Sequence, residues 1–282
     1  MIIIDFSAIA ISNILAQKLT RESDIRHTIL NSLRMYNKRF RKDYGQMVIA
    51  IDSYSWRKDV YPEYKFKRAS VRKESNVDWE SLFKIVDKIK LELKENFPYK
   101  IVEVAKCEAD DIIGVLAQVT QEFGKHEKVM IVSGDKDFIQ LHQYNNVRQY
   151  SPITKKFVQN PDPKAYLLEH ILKGDSSDGV PNVLSGDNTF KEGIRQSPMT
   201  KKRLDKYAID DLDNMHTIME TEVYRNFCRN RKMIDLTQIP KDLVDNIQVE
   251  FDTVNVSSKL KILNYLIKNR CNLLIECAGE FS

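Results

Sequence analysis

The sequence predicts an α/β fold, a mostly parallel central sheet flanked by helices, followed by a smaller helical C-terminal domain. Three observations carry this. Short Val/Ile-rich runs at 1–6, 47–51, 99–105 and 128–132 are continuously apolar, as strands covered on both faces are. Segments of helical period lie between them, and strands that alternate with helices pair in parallel through right-handed crossovers. Beyond about residue 165 the strand-like runs cease, and the apolar spacing is helical at about 201–236 and 257–269. The expected division is therefore 1–165 for the α/β unit and 166–282 for the helical one.

Taken in order, the chain opens at once on a strand that ends in Asp5, without the basic start and long apolar core of a signal peptide. Ser23 is expected to cap a helix over 23–43, with Ile25, Ile29, Leu33, Tyr36 and Phe40 on one face and Gly45 as its stop. The second strand, 47–51, runs into Asp52. Residues 53–77 then show no clean period. They interleave Arg57, Lys58, Lys65, Lys67, Arg68, Arg72 and Lys73 with Trp56, Tyr61, Tyr64 and Phe66. A helix resumes near Asp78, carrying Trp79, Leu82, Phe83, Val86, Ile89 and Leu93 on one side. The third strand follows at 99–105, and Glu108, Asp110 and Asp111 open a helix expected to reach Gly124. The fourth strand halts at Ser133-Gly134 and presents Asp135 and Asp137. Residues 147–150 and 156–158, around a Pro-containing turn, look like a hairpin or edge strands. A helix at 161–173 leads into Gly174-Asp175-Ser176-Ser177-Asp178, and 184–200 is polar and irregular.

At 282 residues, 42% hydrophobic and 30% charged, the chain has the balance of a soluble globular protein with a sizeable core. No apolar run approaches a membrane span, so no membrane partner is expected. The four cysteines lack metal-ligand spacing and read as reduced thiols of a cytosolic protein. The five histidines match no triad or metal template and read as structural or solvent-facing. The net charge is only +4, but if eight acids share one pocket the remainder carries about +12. A basic body around an acidic hole suits a polyanion held by its backbone.

Four strand ends out of four carry acids: Asp5, Asp52, Glu108 with Asp110, and Asp135 with Asp137. A parallel sheet releases all of them at one edge, where ligands of open α/β sheets bind. Acids at a helix start also complement its dipole, but three in four residues exceed what capping needs. Crowded carboxylates raise one another's pKa unless cations sit among them. Oxygen-rich clusters of this kind suit Mg²⁺ or Mn²⁺. Two such ions roughly 3.5–4 Å apart can clamp the attacking and leaving oxygens of a phosphodiester. Asp175 and Asp178 alone read as an ordinary turn, and gain weight only if the second domain folds back to the sheet edge. The basic–aromatic segment 53–77 must overhang the pocket. There its Lys and Arg can meet phosphates, and its Tyr and Phe can offer faces to unstacked bases.

Ile4-Asp5-Phe6-Ser7, Ile51-Asp52, Pro62-Glu63-Tyr64-Lys65 with Arg68, Glu108-Ala109-Asp110-Asp111, Ser133-Gly134-Asp135-Lys136-Asp137-Phe138 and Gly174-Asp175 with Asp178 occur in the order and spacing of the 5′-nuclease (flap endonuclease) family. The chain resembles that family over most of its length, and within it the ribonuclease H branch of T-even bacteriophages. The resemblance implies a PIN-like 5′-nuclease core and an Mg²⁺-dependent 5′→3′ exonuclease and flap endonuclease with RNase H activity. Such an enzyme removes RNA primers and adjacent DNA in lagging-strand replication. It implies that Asp5, Asp52, Glu108 and Asp110 hold a first metal, and that Asp111, Asp135, Asp137, Asp175 and Asp178 hold or orient a second. Mn²⁺ is expected to substitute for Mg²⁺. Residues 53–77 would be the arch, with Lys65 and Arg68 on the scissile phosphate and Arg57, Lys58, Tyr64, Lys67, Arg72 and Lys73 as further nucleic-acid contacts. Flapped, forked or nicked DNA and RNA–DNA hybrid would be the substrates. A single-strand-binding protein of the fork would be a partner, and a monomer in the host cytosol the working form.

Two departures from the family follow. Where its helix–three-turn–helix has Gly-(Ile/Val)-Gly turns, this chain reads Gly179-Val-Pro-Asn-Val-Leu-Ser-Gly-Asp-Asn. The glycine-borne amides and the monovalent cation associated with them therefore do not carry over by motif. The chain also begins at its first strand, so no N-terminal extension for a sliding clamp is expected. The alternatives are a single-strand PIN-type ribonuclease, which lacks both segment 53–77 and the helical part, and a non-catalytic branched-DNA-binding factor, which would have lost acids. A haloacid-dehalogenase phosphatase would need Asp-x-Asp after the first strand, where this chain has Asp5-Phe-Ser.

Overall fold

The structure is a computed structural model that describes residues 1–122, 126–207 and 212–282. Six strands form one sheet in the order β3-β2-β1-β4-β5-β6: β1 (Ile2–Asp5), β2 (Met47–Ile51), β3 (Lys100–Glu103), β4 (Val129–Val132), β5 (Val147–Ser151) and β6 (Lys156–Val158). The first five are parallel and β6 runs antiparallel to β5, as the hairpin expectation had it. Pairing Ile4 with both Ile49 and Val132 puts β1 at the centre. The connections run outward from β1 through β2 to β3, then return to β4 on its other side. The chain therefore reverses direction across the sheet between β1 and β4, and the crevice beyond their C-terminal ends is the natural ligand position.

Helices α1 (Phe6–Ala16), α2 (Glu22–Tyr44), α3 (Arg57–Val60), α4 (Lys67–Glu74), α5 (Trp79–Asn96) and α6 (Ala109–Val119) accompany the first strands. α1 has no counterpart in the sequence expectation. Its apolar residues surround it rather than forming a stripe, so no 3.6-residue period announces it, and Asp5 caps it by accepting from the Ala8 amide at 3.0 Å. The cap expected at Ser23 falls instead on Arg21, with Ser23 inside the first turn of α2. α6 ends at Val119, short of the expected Gly124, which itself lies outside the described residues.

α7 (Pro163–Lys173), α8 (Lys201–Lys206), α9 (Thr221–Ile234), α10 (Lys241–Thr253), α11 (Lys261–Lys268) and α12 (Asn272–Ile275) complete the chain. The continuous helical pattern expected over 201–236 is broken: α8 stops at Lys206, and α9 begins only at Thr221. Nor do the described residues of 166–282 share one core. α7 and α9 pack around Ile171, Phe227 and Ile234 together with Tyr61 and Tyr64. Farther on, Leu236, Leu243 and Ile247 cover one face of the sheet, and Ile262, Leu266 and Phe281 cover the other. Burial of those amphipathic faces ties the last helices to the α/β unit.

Candidate metal and nucleic-acid site

The crevice beyond β1 and β4 opens into a cleft of about 950 Å³ lined by Asp5, Asp52, Glu108, Asp110, Asp135, Asp137, Asp175 and Asp178. Each acid arrives for a local reason. Asp5, Asp52 and Asp135 follow strand ends, so their backbone is carried to the edge by the sheet itself. Asp52 also accepts from the Ala109 amide at 2.8 Å, which fastens the start of α6 to the end of β2. Glu108 caps that helix and Asp110 lies in its first turn. Ser133 links two strand ends: its hydroxyl donates to Asp5 at 3.0 Å and accepts from the Asp135 amide at 3.1 Å.

Asp175 and Asp178 reach the cleft because α7 docks beside the 3₁₀ turn at Asp137–Gln143, so the fold-back on which their role depended does occur. Gly174 makes the turn possible. It has φ +66, and a Cβ there would stand 2.4 Å from the Val180 carbonyl oxygen. Asp175 then accepts from the Ser177 amide at 2.8 Å and its hydroxyl at 2.6 Å, which fixes the carboxylate.

The cluster is electrostatically uneven. Burial, with Asp52 and Asp135 adding to it, pushes Asp5 up to about 7. Burial and Asp135 likewise push Asp137 to about 7, and burial drives Asp110 well above its ordinary value against the pull of Lys65. Glu108 behaves oppositely: burial raises it, but Lys65 and Arg57 prevail and hold it below its ordinary value. Its oxygens accept from Lys65 Nζ at 2.5 Å, Ser55 Oγ at 2.8 Å and Tyr64 Oη at 3.0 Å. Asp175 is held low as well, its burial outweighed by His170 and Ser177. Three acids with raised pKa values, crowded into one cleft with further carboxylates, are what a hard divalent cation would compensate.

Segment 53–77 overhangs the cleft as expected, but its residues divide. Lys65 is buried, donates to Glu108 and stands 3.4 Å from Asp178. Its backbone is left-handed at φ +56, and its amide donates to the Asp178 carbonyl at 2.7 Å. Arg68 is exposed and donates to Asp178 at 2.7 Å. Lys67, Arg72 and Lys73 are exposed and Lys58 is half-buried.

Three expectations need correction. Asp111, expected to serve the second metal, is fully buried on the far side of α6. It accepts from Arg57 at 2.8 Å and from the Glu108 amide at 2.9 Å in a capping box, because successive helical residues point about 100° apart and Asp110 takes the cleft side. Arg57, expected on nucleic acid, is 2% exposed and committed to Asp111 and Glu108 and to the Met233 carbonyl at 2.8 Å. Tyr64, expected as a stacking face, is 3% exposed with its hydroxyl between Glu108 and Asp178.

Sequence reasoning also missed His170, set aside with the other histidines. Its imidazole lies 3.3 Å from Asp137 and 3.6 Å from Asp175. Its place on the last turn of a helix that ends in Gly174-Asp175 was the available signal. In the expected helix–three-turn–helix, side-chain hydrogen bonds fasten the turns. Asn182 accepts from the Leu184 amide and Ser185 hydroxyl and donates to the Ser197 carbonyl at 2.7 Å, and Arg229 donates to the Pro181 carbonyl at 2.9 Å.

Comparison with known proteins matches residues 1–167 to the family described as 5′-3′ exonuclease, N-terminal resolvase-like domain, and residues 162–281 to the T4 RNase H C-terminal family. The chain is 34% identical to the ribonuclease H of Enterobacteria phage T4 over 292 aligned positions, covering 99% of this chain and 95% of the relative. A 5′-3′ exonuclease of Buchnera aphidicola is 33% identical over 55% of this chain and 54% of its own length. Among solved structures, a bacteriophage T5 flap endonuclease in a pseudo-enzyme–product complex with DNA and metal ions superposes with a TM-score of 0.61. It is 17% identical, over 90% of this chain and 98% of that one. The T5 5′-exonuclease with bound divalent zinc superposes at 0.59 with 16% identity.

Proposed function

The chain belongs to the 5′-3′ exonuclease family, and from that premise we propose that it is an Mg²⁺-dependent, structure-selective 5′-nuclease with RNase H activity. It cleaves 5′ flaps and degrades RNA primers with the adjacent DNA in lagging-strand replication. One observation carries this reading: eight carboxylates from four strand ends and one loop line a single cleft, with Lys65 and Arg68 over it. Asp5, Asp52, Glu108 and Asp110 would hold one divalent ion, and Asp135, Asp137, Asp175 and Asp178 a second, with Mn²⁺ able to replace Mg²⁺. When bound, the pair supplies positive charge to the phosphodiester and its leaving oxygen.

The protein's own groups do the rest. Ser133 and the Ala109 amide hold Asp5 and Asp52 in place, so the oxygen donors need little rearrangement. The Lys65 ammonium lies within the cleft on Glu108 and the Arg68 guanidinium stands exposed at its mouth, both where a backbone phosphate entering it would meet them. Lys58, Lys67, Arg72 and Lys73 continue the positive track along the strand. Exposed Tyr54, whose ring lies 5.7 Å from Lys58 Nζ, offers the stacking face that Tyr64 does not. Flapped, forked or nicked duplexes and RNA–DNA hybrids are the substrates this reading assigns, with a single-strand-binding protein as partner and a monomer in the host cytosol as the working form.

The test is a 5′-labelled flap and a nicked RNA–DNA hybrid incubated with Mg²⁺, with and without EDTA. Short labelled products from both substrates, abolished by EDTA, are expected. Cleavage inside linear single-stranded RNA with no preference for the flap would favour the PIN-type ribonuclease instead. Flap binding without any cleavage would favour the non-catalytic branched-DNA factor.

A further inference from the structure

His170 lies on the last turn of α7, and its surroundings fix its ring. Tyr166, one turn earlier, packs edge-on against it with centroids 5.9 Å apart. The Gly174 amide donates to the His170 carbonyl at 2.8 Å, so the chain turns directly beneath the ring and returns Asp175 to it. Nδ1 faces Asp137 Oδ1 at 3.3 Å and Nε2 faces Asp175 Oδ2 at 3.6 Å. Side chains of Asp137, His170 and Asp175 each offer a donor atom, and these lie within 4.8 Å of one another. All three are partly open to the cleft at 22%, 16% and 22% exposure.

Two adjacent donors on an octahedral ion with bonds of about 2.1 Å stand about 3 Å apart. The Asp137–Nδ1 separation is already close to such an edge. On the other side of the ring, Asp175 has one oxygen occupied by Ser177 and presents the other to Nε2. A ligating imidazole commonly donates its second N–H to a carboxylate, which fixes the tautomer and leaves the first nitrogen free to bond.

We infer that His170 is a nitrogen ligand of the second cation site, with Nδ1 beside Asp137 on the ion and Nε2–H directed to Asp175, which then orients the ring instead of binding that ion itself. The inference rests on the two-cation reading above and adds a consequence to it. Mn²⁺ accepts an imidazole nitrogen more readily than Mg²⁺, which dehydrates reluctantly and keeps to oxygen and water. The second site therefore discriminates between the two ions more strongly than the first, which is made of carboxylates alone.

The test uses the full chain stripped with EDTA. Titration calorimetry with MnCl₂ and with MgCl₂ is run on the natural protein, His170→Gln and His170→Ala, and Mn²⁺ in the natural protein is examined by pulsed electron paramagnetic resonance. Expected are two bound Mn²⁺ and a directly bonded ¹⁴N signal. In both variants the affinity of one Mn²⁺ falls by about 10–100-fold, while Mg²⁺ binding falls by less than about threefold. Two bound Mn²⁺ without a ¹⁴N signal, or an equal loss for both metals, would overturn the ligand assignment and leave the two-cation reading standing. Failure of the natural protein to bind a second ion would overturn both. The resonance measurement needs no variant, so a folding defect in either one does not blunt it.

Discussion

Asp137→Asn should make the metal-stripped protein more stable while removing a cation ligand. Burial and the neighbouring Asp135 lift the Asp137 carboxyl from its ordinary 3.8 to about 7. Between those values the native protein holds a proton that the open chain has released. The native state therefore binds more protons, and stability falls as pH rises from about 4 to about 7. Three decades of proton affinity at about 1.4 kcal/mol each put the penalty of the ionised group at no more than about 4 kcal/mol. With 22% of the side chain open to solvent and mobile cations nearby, about 1–2 kcal/mol is the working expectation. The asparagine is nearly isosteric and keeps an oxygen to face His170. Urea unfolding in EDTA should therefore find the variant more stable than the natural protein at pH 8 and equal to it at pH 4. Millimolar Mn²⁺ should reverse the order at pH 8, because the natural protein gains more binding free energy. Equal stability at pH 8 in EDTA, or equal stabilisation of both proteins by Mn²⁺, would refute the claim that the cluster is destabilised for the sake of its cations.

Arg57→Met should cost about 3–5 kcal/mol in urea unfolding, since it strands Asp111 without its partner in the core. Asp111→Asn, by contrast, should leave metal affinity within about twofold by calorimetry, as a residue outside the ligand set would. Lys65→Ala should slow single-turnover flap cleavage by about a hundredfold while changing binding far less, and an unchanged rate would remove its proposed role on the phosphate. Gly179→Ala should destabilise by about 1–3 kcal/mol, because φ is +76 and the new Cβ would stand 2.7 Å from the Glu63 carbonyl oxygen. Circular dichroism on melting would register it, and an unaltered midpoint would mean the loop gives way.

Much of the site was legible because covalent adjacency does the positioning. An acid placed just after a buried strand is carried to the sheet edge whatever else packs around it. Asp5, Asp52 and Asp135 could therefore be assigned to one cleft from sequence alone, as could the parallel sheet from its apolar runs. The hairpin at β5 and β6 was readable from its short strands and turn in the same way.

Choices between neighbours were not legible. Asp110 and Asp111 are both acids in the first turn of α6, and only the packing of that helix decides that one faces the cleft and the other Arg57. Arg57 and Tyr64 look like strand-gripping residues in composition, yet the Met233 carbonyl, Glu108 and Asp178 bury them through contacts from distant parts of the chain. The α1 helix carried no periodic signal because it is apolar all round. His170 meets Asp137 only because α7 docks beside the 3₁₀ turn that bears it. Local sequence thus determined which residues leave the strands together, since the backbone joins them. The docking of helices determined which of those side chains keep company with ions and substrate, because burial and partner choice are settled across space rather than along the chain.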